Sequence, residues 1–313
     1  MDLELCVAKR HVVADDVVEL TFTRPGGGAL PQWEPGAHID VELGELVRQY
    51  SLTGLVPAAD RWSVAILREP EGRGGSRYAH TRIEQGSMVR VSLPRNHFEL
   101  SVGAPGVLFV AGGIGITPLL PMIAKLQGEG TPWDLFYCGR SRSGMAYADQ
   151  LAQFGDRARI RPDDEYGIPD LDALIAATEP DTVVYSCGPE GMLSALEARC
   201  ADPAHPRTLR VERFVARQID TDEPETAFEV EFALSGVTVR VPVGRSILAV
   251  AEDAGVEIIS SCAEGTCGTC ETPVLDGVPD HRDSVLTDDE RACGTTMMPC
   301  VSRARSARLI LDV

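Results

Sequence analysis

Residues 261–270 read SCAEGTCGTC and place three cysteines within nine positions. A fourth cysteine lies farther along the chain, which gives the set Cys262, Cys267, Cys270 and Cys300. The C-x4-C-x2-C spacing with a distant fourth member is typical of the ligands of a plant-type [2Fe–2S] cluster. Gly265 and Gly268 favour this interpretation, because glycine lets a short loop wrap closely around a small cluster. The fourth thiolate then has to arrive from a separate segment.

Structural zinc and a disulfide are the competing interpretations of these cysteines. Zinc sites commonly pair their ligands as C-x2-C twice, but only Cys267 and Cys270 have that spacing. The segments before the loop favour the cluster, since FEVEFALSG and VTVRVPVG predict a hairpin and SILAVAEDAG predicts a helix. A disulfide framework is disfavoured in a reducing compartment. Cys293, a fifth nearby thiol, is interpreted as a small buried residue rather than as a ligand.

The composition limits the classes of partner. The 313 residues carry a net charge of −18, which argues against binding nucleic acid or an anionic membrane. An acidic surface allows docking onto a basic partner, although acidity for solubility remains an equal alternative. No apolar run reaches the roughly 18 residues that a membrane span needs. The start of the sequence lacks the apolar core of a signal peptide, so a cytoplasmic location is expected.

Three segments with different patterns follow one another along the chain. Residues 1–102 alternate short β-rich runs with turns, which predicts a small antiparallel barrel. Residues 103–216 alternate buried strands with helices, which predicts a Rossmann-like parallel sheet. Residues 217–226 are polar and acidic, as a linker would be, and residues 227–313 predict a β-grasp domain. The predicted fold class is therefore multidomain, with β, α/β and α+β parts in that order.

Two stretches of the first segment suit a flavin. The run RQYSL supplies an arginine for a phosphate, an aromatic plane for the isoalloxazine and a hydroxyl for the flavin N5 region, at Arg48, Tyr50 and Ser51. The run GRGGS precedes a predicted helix whose N-terminus would suit a phosphate, although a plain glycine turn is the alternative. The complete predicted flavin-binding set is Arg48, Tyr50, Ser51, Leu52, Ile66, Gly74, Gly75 and Ser76.

Two stretches of the second segment suit a dinucleotide. GVLFVAGGIGITPLL predicts a strand, a tight glycine turn and a helix, so that a pyrophosphate can approach the helix N-terminus. VYSCGPEGM places a second turn at the carboxyl end of another strand, where α/β sheets bind ligands. The predicted nucleotide-binding residues are Gly112, Gly113, Gly115, Thr117, Cys187, Gly188 and Pro189.

These stretches, together with SCAEGTCGTCETPVLDGVPDHRDSVL, resemble the phthalate dioxygenase reductase family in the same order along the whole chain. The resemblance implies an FMN-binding barrel over 1–102, an NAD(P)H-binding domain over 103–216 and a plant-type ferredoxin domain over 227–313. It also implies that GRGGS holds the FMN phosphate and that Cys187 lies near the nicotinamide C4. VERF resembles the end of the nucleotide domain, where Phe214 would cover the flavin face. The implied catalytic residues are Ser51, Cys187 and Phe214.

The choice between NADH and NADPH depends on YCGRSRSG, which follows the second strand of the predicted sheet. Its residues Arg140, Ser141 and Arg142 lie where the adenosine ribose is expected, and arginines there could grip a 2′-phosphate. They could equally stack on adenine or remain solvated. Similar Arg-Ser-Arg stretches occur in family members that use NADH, so NADH is favoured over NADPH.

The resemblance implies a reductase component that passes electrons from NADH through FMN and a [2Fe–2S] cluster to a partner oxygenase. A separate partner is inferred because the sequence itself contains no Rieske Cys-His spacing. The resemblance implies that this partner is a Rieske-type ring hydroxylase or O-demethylase, or a cytochrome P450. Asp288, Asp289 and Glu290 are predicted to steer that docking. A stand-alone flavin or ferric reductase and a structural zinc module remain alternatives. A monomer is expected.

Overall fold

The computed structural model describes residues 3–55, 58–101, 103–203, 206–217 and 225–313. The chain divides into two compact units, Met1–Glu212 and Arg213–Val313, and each is described by itself. Within the described ranges no helix is both long and apolar enough to cross a membrane.

The first part of the chain forms a closed barrel with the strand order β1-β2-β5-β4-β3-β6. Alternate residues of its strands point inward, for example Ile39 and Val41, which have no exposed surface. The barrel strands are β1 (Leu3–Ala14), β2 (Val17–Thr23), β3 (His38–Leu43), β4 (Leu46–Thr53), β5 (Arg61–Leu67) and β6 (Met88–Val91). One helix, α1 (Gly75–Arg82), lies between β5 and β6 in the sequence.

The rest of the first unit is a parallel sheet with the strand order β11-β10-β7-β8-β9. Every residue of β7 is buried, as expected for a central parallel strand that is covered on both faces. The strands are β7 (Val107–Gly112), β8 (Trp133–Gly139), β9 (Ala158–Pro162), β10 (Val183–Cys187) and β11 (Leu209–Glu212). The helices are α2 (Leu119–Glu129), α3 (Ala148–Leu151), α4 (Asp163–Tyr166), α5 (Leu171–Ala176) and α6 (Glu190–Cys200). The 3₁₀ turns are Gly113–Ile116, Arg142–Gly144 and Ala152–Arg157.

The second unit contains a mixed sheet with the strand order β13-β12-β18-β14-β16 and a small β15–β17 pair. Ser246 caps the first of its two described helices, and Thr287 and Glu290 form a capping box at the start of the second. The helices are α7 (Ile247–Asp253) and α8 (Asp288–Cys293). The strands are β12 (Phe228–Phe232), β13 (Val237–Val241), β14 (Thr272–Asp276), β15 (Pro279–Asp280), β16 (Thr296–Met297), β17 (Arg303–Ala304) and β18 (Arg308–Leu311).

The predicted fold class is confirmed in all three parts: an antiparallel barrel, a parallel α/β sheet and a C-terminal domain with a hairpin and a helix before the cysteine loop. The boundaries at 102 and 216 stay a prediction. The barrel and the parallel sheet form one compact unit, and the division between units falls after Glu212. Most of the predicted linker, residues 218–224, lies outside the described residues.

Candidate redox sites

A cradle for an anion is built where β4 meets the start of α1. Gly75 lies so close to Arg48 that a Cβ at this position would be 2.8 Å from Arg48 Cγ. Gly74 precedes the helix in the left-handed region, with φ of 97°, which favours glycine. Ser76 Oγ accepts the backbone N–H of Glu69 at 3.0 Å, so its own proton can be donated elsewhere. Arg48 and GRGGS, although distant in sequence, therefore come together as predicted.

The other predicted flavin residues divide between the two faces of β4. Tyr50 packs against the barrel core, and burial raises its pKa. Leu52 and Ile66 are completely buried in that core. Ser51 points to the opposite face and is 5% exposed. A flavin contact at Leu52 and Ile66 stays a prediction. Because both side chains are buried in the barrel core, such a contact would be made by the backbone atoms of these residues.

The two glycine-containing turns of the parallel sheet touch each other. A Cβ on Gly115 would lie 2.1 Å from the carbonyl oxygen of Cys187, and one on Gly112 would lie 2.5 Å from Pro189 Cδ. Gly188 is equally close to Gly112, since its Cβ would lie 2.9 Å from Gly112 Cα. The carboxyl ends of β7 and β10 are thus packed backbone against backbone, and only glycine fits these positions.

Thr117 has a role that the sequence does not reveal. Its hydroxyl donates to the carbonyl oxygen of Ile114 at 3.0 Å, and the residue is 2% exposed. The side chain therefore stabilises the 3₁₀ turn at Gly113–Ile116. Gly113 adopts a φ of 54° within that turn. Thr117 shapes the predicted nucleotide turn, and a direct contact with the nucleotide stays a prediction.

A buried carboxyl joins Ser51 to the carboxyl end of the parallel sheet. Glu212 ends β11 directly beside Cys187 of β10 in the parallel register. Its Oε2 atom is buried without a hydrogen-bond partner. Ser51 Oγ is likewise buried without a hydrogen-bond partner among the described residues. Burial raises the pKa of Glu212 from 4.5 to about 8, and the nearby Ser51 hydroxyl opposes the shift. Ser51, Cys187 and Glu212 therefore converge, although the sequence singles out Glu212 only as part of VERF.

His38 is a further residue near Ser51 that the sequence pattern does not single out. It lies directly opposite Ser51 in the β3–β4 register and is 6% exposed. The Leu52 N–H donates to the Ala37 carbonyl at 2.8 Å, so His38 and Ser51 form the pair type whose side chains approach most closely. The ring of His97 is centred 6.0 Å from that of His38.

The residues at the expected adenosine position carry both signs of charge. Arg142 is paired with Asp149 at 2.7 Å, whereas the Arg140 side chain is exposed, and Ser141 lies between the two. Asp163 follows the residue that pairs with Gly139 in the β8–β9 register. The next N–H, that of Asp164, donates to the Arg140 carbonyl at 3.2 Å. The backbone of Asp163 and Asp164 therefore lies beside that of Arg140, the arginine that would meet a 2′-phosphate.

The four predicted cluster ligands lie together in the second unit. Hydrogen bonds with Cys267 and then Cys300 lower the pKa of the Cys262 thiol, and a hydrogen bond with Cys300 lowers that of Cys270. The Glu264 N–H donates to Cys262 Sγ at 3.3 Å, and the Thr269 hydroxyl lies 3.1 Å from Cys267 Sγ. The contacts between thiols link all four in one group, as the ligands of a single cluster would require.

Among the residues that the structure describes, no group of three or more His, Cys, Asp or Glu side chains is arranged to hold a single metal ion. The prediction of a buried Cys293 is wrong, because this thiol is exposed at the end of α8. Cys293 follows three exposed acidic residues at the start of α8, Asp288, Asp289 and Glu290.

Phe214 lies in the second compact unit and is 45% exposed. Its predicted position over the flavin face stays a prediction. The other predicted catalytic residues, Ser51 and Cys187, both lie in the first unit, next to Glu212.

The chain is similar to known proteins over nearly its whole length. The model of the 2Fe-2S iron-sulfur cluster binding domain matches residues 231–305. The phenoxybenzoate dioxygenase subunit beta of Ectopseudomonas oleovorans is 44% identical over 305 residues, which cover 96% of this chain and 94% of that protein. Similarity to this relative therefore extends through both compact units.

Solved structures give the same result. A phthalate dioxygenase reductase, described as modular for electron transfer from pyridine nucleotides to [2Fe–2S], is 38% identical with a TM-score of 0.70. The match covers 100% of this chain and 98% of that one. An intact type IV self-sufficient cytochrome P450 monooxygenase is 44% identical with a TM-score of 0.92. This chain spans 41% of the length of that P450.

Proposed function

Because the chain belongs to the phthalate dioxygenase reductase family, we propose that it is the reductase component of an oxygenase system. It is an iron–sulfur flavoprotein oxidoreductase that passes electrons from NADH through FMN and a [2Fe–2S] cluster to its partner. The observation that carries the proposal is the convergence of Ser51, Cys187 and Glu212 in a chain that also groups four thiols in a ferredoxin domain.

The residues present fit the three redox groups. Arg48, Gly75 and Ser76 would hold the FMN phosphate, because they form a cradle with a guanidinium, a helix start and a free hydroxyl proton. The closely packed turns at Gly112 and Gly115 would bind the nicotinamide nucleotide. The four thiols would bind the cluster. When bound, FMN accepts two electrons as hydride and releases them singly, which the cluster requires.

NADH is the nucleotide that the charges favour. The backbone of Asp163 lies near that of Arg140, and a carboxylate at this end of the strands would repel a 2′-phosphate, while a ribose hydroxyl could donate to it. Arg142 is already paired with Asp149 and is less available to a phosphate. Of the two arginines that leave the choice open in the sequence, Arg142 is therefore offset by a neighbouring carboxylate.

The primary experiment is an anaerobic titration of the purified protein with NADH, followed by visible absorption and EPR. Bleaching of both flavin and cluster bands, a reduced [2Fe–2S] signal and release of FMN on denaturation are expected. Flavin reduction without an iron signal would contradict the proposal. It would leave a stand-alone flavin or ferric reductase as the function.

The partner is an oxygenase that docks at the ferredoxin domain. A Rieske-type ring hydroxylase or O-demethylase is the first candidate, and the similarity to a self-sufficient P450 makes a cytochrome P450 the second. The exposed Asp288, Asp289 and Glu290 on α8 would steer the domain to a basic patch. A monomer and a cytoplasmic location belong to the same proposal.

Salt dependence tests the docking surface. Replacing the three acidic residues by Asn, Asn and Gln should slow electron transfer to the oxygenase at low salt and flatten its dependence on ionic strength. NADH reduction of the flavin should not change, since these residues lie outside the first unit. An unchanged salt dependence would show that another surface docks.

A further inference from the structure

A buried imidazole and a buried carboxylate face each other in the second unit without a hydrogen bond between them. The His281 side chain is 8% exposed, and the Asp283 side chain has no exposed surface. His281 Nδ1 lies 3.9 Å from Asp283 Oδ1, which is longer than a hydrogen bond. Among the residues that the structure describes, neither ring nitrogen of His281 nor the Oδ1 atom of Asp283 has a hydrogen-bond partner. Unsatisfied buried groups of this kind are costly, so the pair is poised to form a bond once Nδ1 carries a proton.

The charges around the ring oppose one another. Burial lowers the pKa of His281 below its usual 6.5, the Asp283 carboxylate opposes this shift, and the Arg291 guanidinium adds to it. The backbone of Arg291 and the carboxylate of Asp280 also favour the protonated ring. Asp280 is itself paired with Arg282 at 2.9 Å. The ring is therefore neutral near pH 7, and additional negative charge nearby would favour its protonation.

The pair lies against the cluster-binding loop, residues 262–270. A Cβ on Gly265 would lie 3.1 Å from Asp283 Cα, and the Ser284 N–H donates to the Gly265 carbonyl oxygen at 2.8 Å. Because Gly265 is two residues from Cys267, the Cα atoms of Asp283 and Cys267 are no more than about 12 Å apart. The Oδ2 atom of Asp283 accepts the Leu286 N–H at 2.8 Å, which holds the carboxyl group in place. A charge at the four thiols therefore acts on the pair at short range.

We propose that His281 takes up one proton at Nδ1, facing Asp283, when the cluster gains its electron. The inference rests on the proposed function, because it requires a [2Fe–2S] cluster at the four thiols. The electron comes from the flavin and the proton comes from water, so the net charge of the second unit is unchanged by the step. The protonated Nδ1 donates to Asp283 Oδ1 after a small approach, which satisfies both atoms with a charge-assisted hydrogen bond.

The size of the effect follows from electrostatics. One added negative charge on the order of 10 Å away strengthens proton binding by about tenfold at an effective dielectric constant of about 20. Because linkage is reciprocal, the same factor must appear in the reduction potential of the cluster. The potential should be more positive at low pH, where the ring is protonated in both redox states, than at high pH, where it is neutral in both. The tenfold factor corresponds to a total change of about 59 mV.

The experiment measures the reduction potential of the cluster in the full-length holoprotein by EPR-monitored, dye-mediated titration in half-unit steps between about pH 5 and 8. His281 is the only histidine in the sequence of the second unit, so no other imidazole there titrates in this range. His281→Gln removes the titrating ring and retains a polar side chain. His11→Gln is the matched control, because His11 Nδ1 lies 3.6 Å from a Glu19 carboxylate oxygen in the first unit.

The potential should rise by about 59 mV from high to low pH in the unmodified protein and in His11→Gln, and should be constant in His281→Gln. A constant potential in the unmodified protein would overturn the inference without any variant. The same rise in His281→Gln would also overturn it. Failure of the proposed function is distinguishable, because the reduced unmodified protein would then show no [2Fe–2S] EPR signal at any pH.

Arg291→Gln is a second variant, in which the titrating ring is retained. Removing this guanidinium takes away a positive charge that lowers the pKa of His281. The pH range over which the potential changes should therefore move to higher pH. A range that stays in place or moves to lower pH would overturn the assignment of the proton to His281.

Discussion

The cluster-binding loop and the site around Ser51 differ in how their residues are brought together. Three of the four thiols lie within residues 262–270, on one loop that also supplies N–H and hydroxyl groups to the sulfurs. Ser51, Cys187 and Glu212 come instead from three strands, β4, β10 and β11, of two different sheets. The first site depends on local loop geometry and the second on the packing of a barrel against a parallel sheet.

The difference predicts that the two sites can be damaged independently. A change at a cysteine should remove the cluster and leave the hydride-accepting site intact, since the two lie in separate compact units. A change where two strand ends touch should have the opposite effect. Variants that damage both sites together would contradict this separation.

The largest effect is expected from Cys300→Ser. Cys300 is the one proposed ligand outside the loop, and a serine hydroxyl is a poor substitute for a thiolate on iron. The visible cluster band, the EPR signal and the bound iron should be lost, while NADH still reduces the flavin at the normal rate.

Cys293→Ser is the matched control for Cys300→Ser. Its thiol is exposed at the end of α8, so the cluster signals should be unchanged. If Cys300→Ser retained a normal EPR signal, the proposed ligand set would be incorrect.

A large effect on flavin reduction, with the cluster left intact, is expected from Gly115→Ala. The new Cβ would lie 2.1 Å from the Cys187 carbonyl, and backbone cannot move aside as a side chain can. Overpacking of this kind costs about 1–3 kcal/mol and displaces the nucleotide turn, so flavin reduction by NADH should slow by about fivefold or more. The EPR signal obtained with dithionite should be normal.

Gly128→Ala controls for the loss of a glycine, because a Cβ at this position in α2 meets nothing within 4 Å. Gly128→Ala should reduce its flavin at the normal rate. A normal rate in Gly115→Ala as well would mean that the contact between β7 and β10 does not shape the nucleotide site.

The same difference explains what the sequence could predict. The cysteine spacing and the glycine turns are local, so the cluster loop, the strand-turn-helix at Gly112 and the order of the three folds could be read directly. Glu212 and His38 could not be identified from the sequence, because their positions depend on strand register. Glu212 lies beside Cys187, and His38 lies opposite Ser51. Thr117 could be assigned to the nucleotide turn from the sequence, but the bond of its hydroxyl to Ile114 could not be read.

A moderate effect on nucleotide choice is expected from Asp163→Asn. Asp163 follows the end of β9, where its backbone lies near that of Arg140. Removing its charge should therefore raise the ratio of kcat/KM for NADPH to that for NADH by about fivefold, since less negative charge then faces the expected 2′-phosphate. Calorimetric binding of NADP⁺ and NAD⁺ should change in the same sense. Asp156→Asn, at an exposed acidic residue of the same sheet domain, should leave the ratio unchanged. A ratio that is equal in both variants would assign the choice to Arg140 and Arg142 instead.

An effect of a different kind, on stability, is expected from Glu212→Gln. Burial raises the pKa of Glu212 from 4.5 to about 8, so the folded chain binds more protons at this carboxyl than the unfolded chain does. Stability therefore falls as the pH rises through this window, and glutamine removes that dependence. The variant should gain stability over the unmodified protein progressively between about pH 4.5 and 8, with no further gain above.

Urea unfolding followed by tryptophan fluorescence measures this, because Trp33, Trp62 and Trp133 all lie in the first unit. Glu129→Gln, at an exposed end of α2, should show no such trend. A constant difference between Glu212→Gln and the unmodified protein across this range would mean that the carboxyl is solvated, and that the site around Ser51 is as open as the cluster loop.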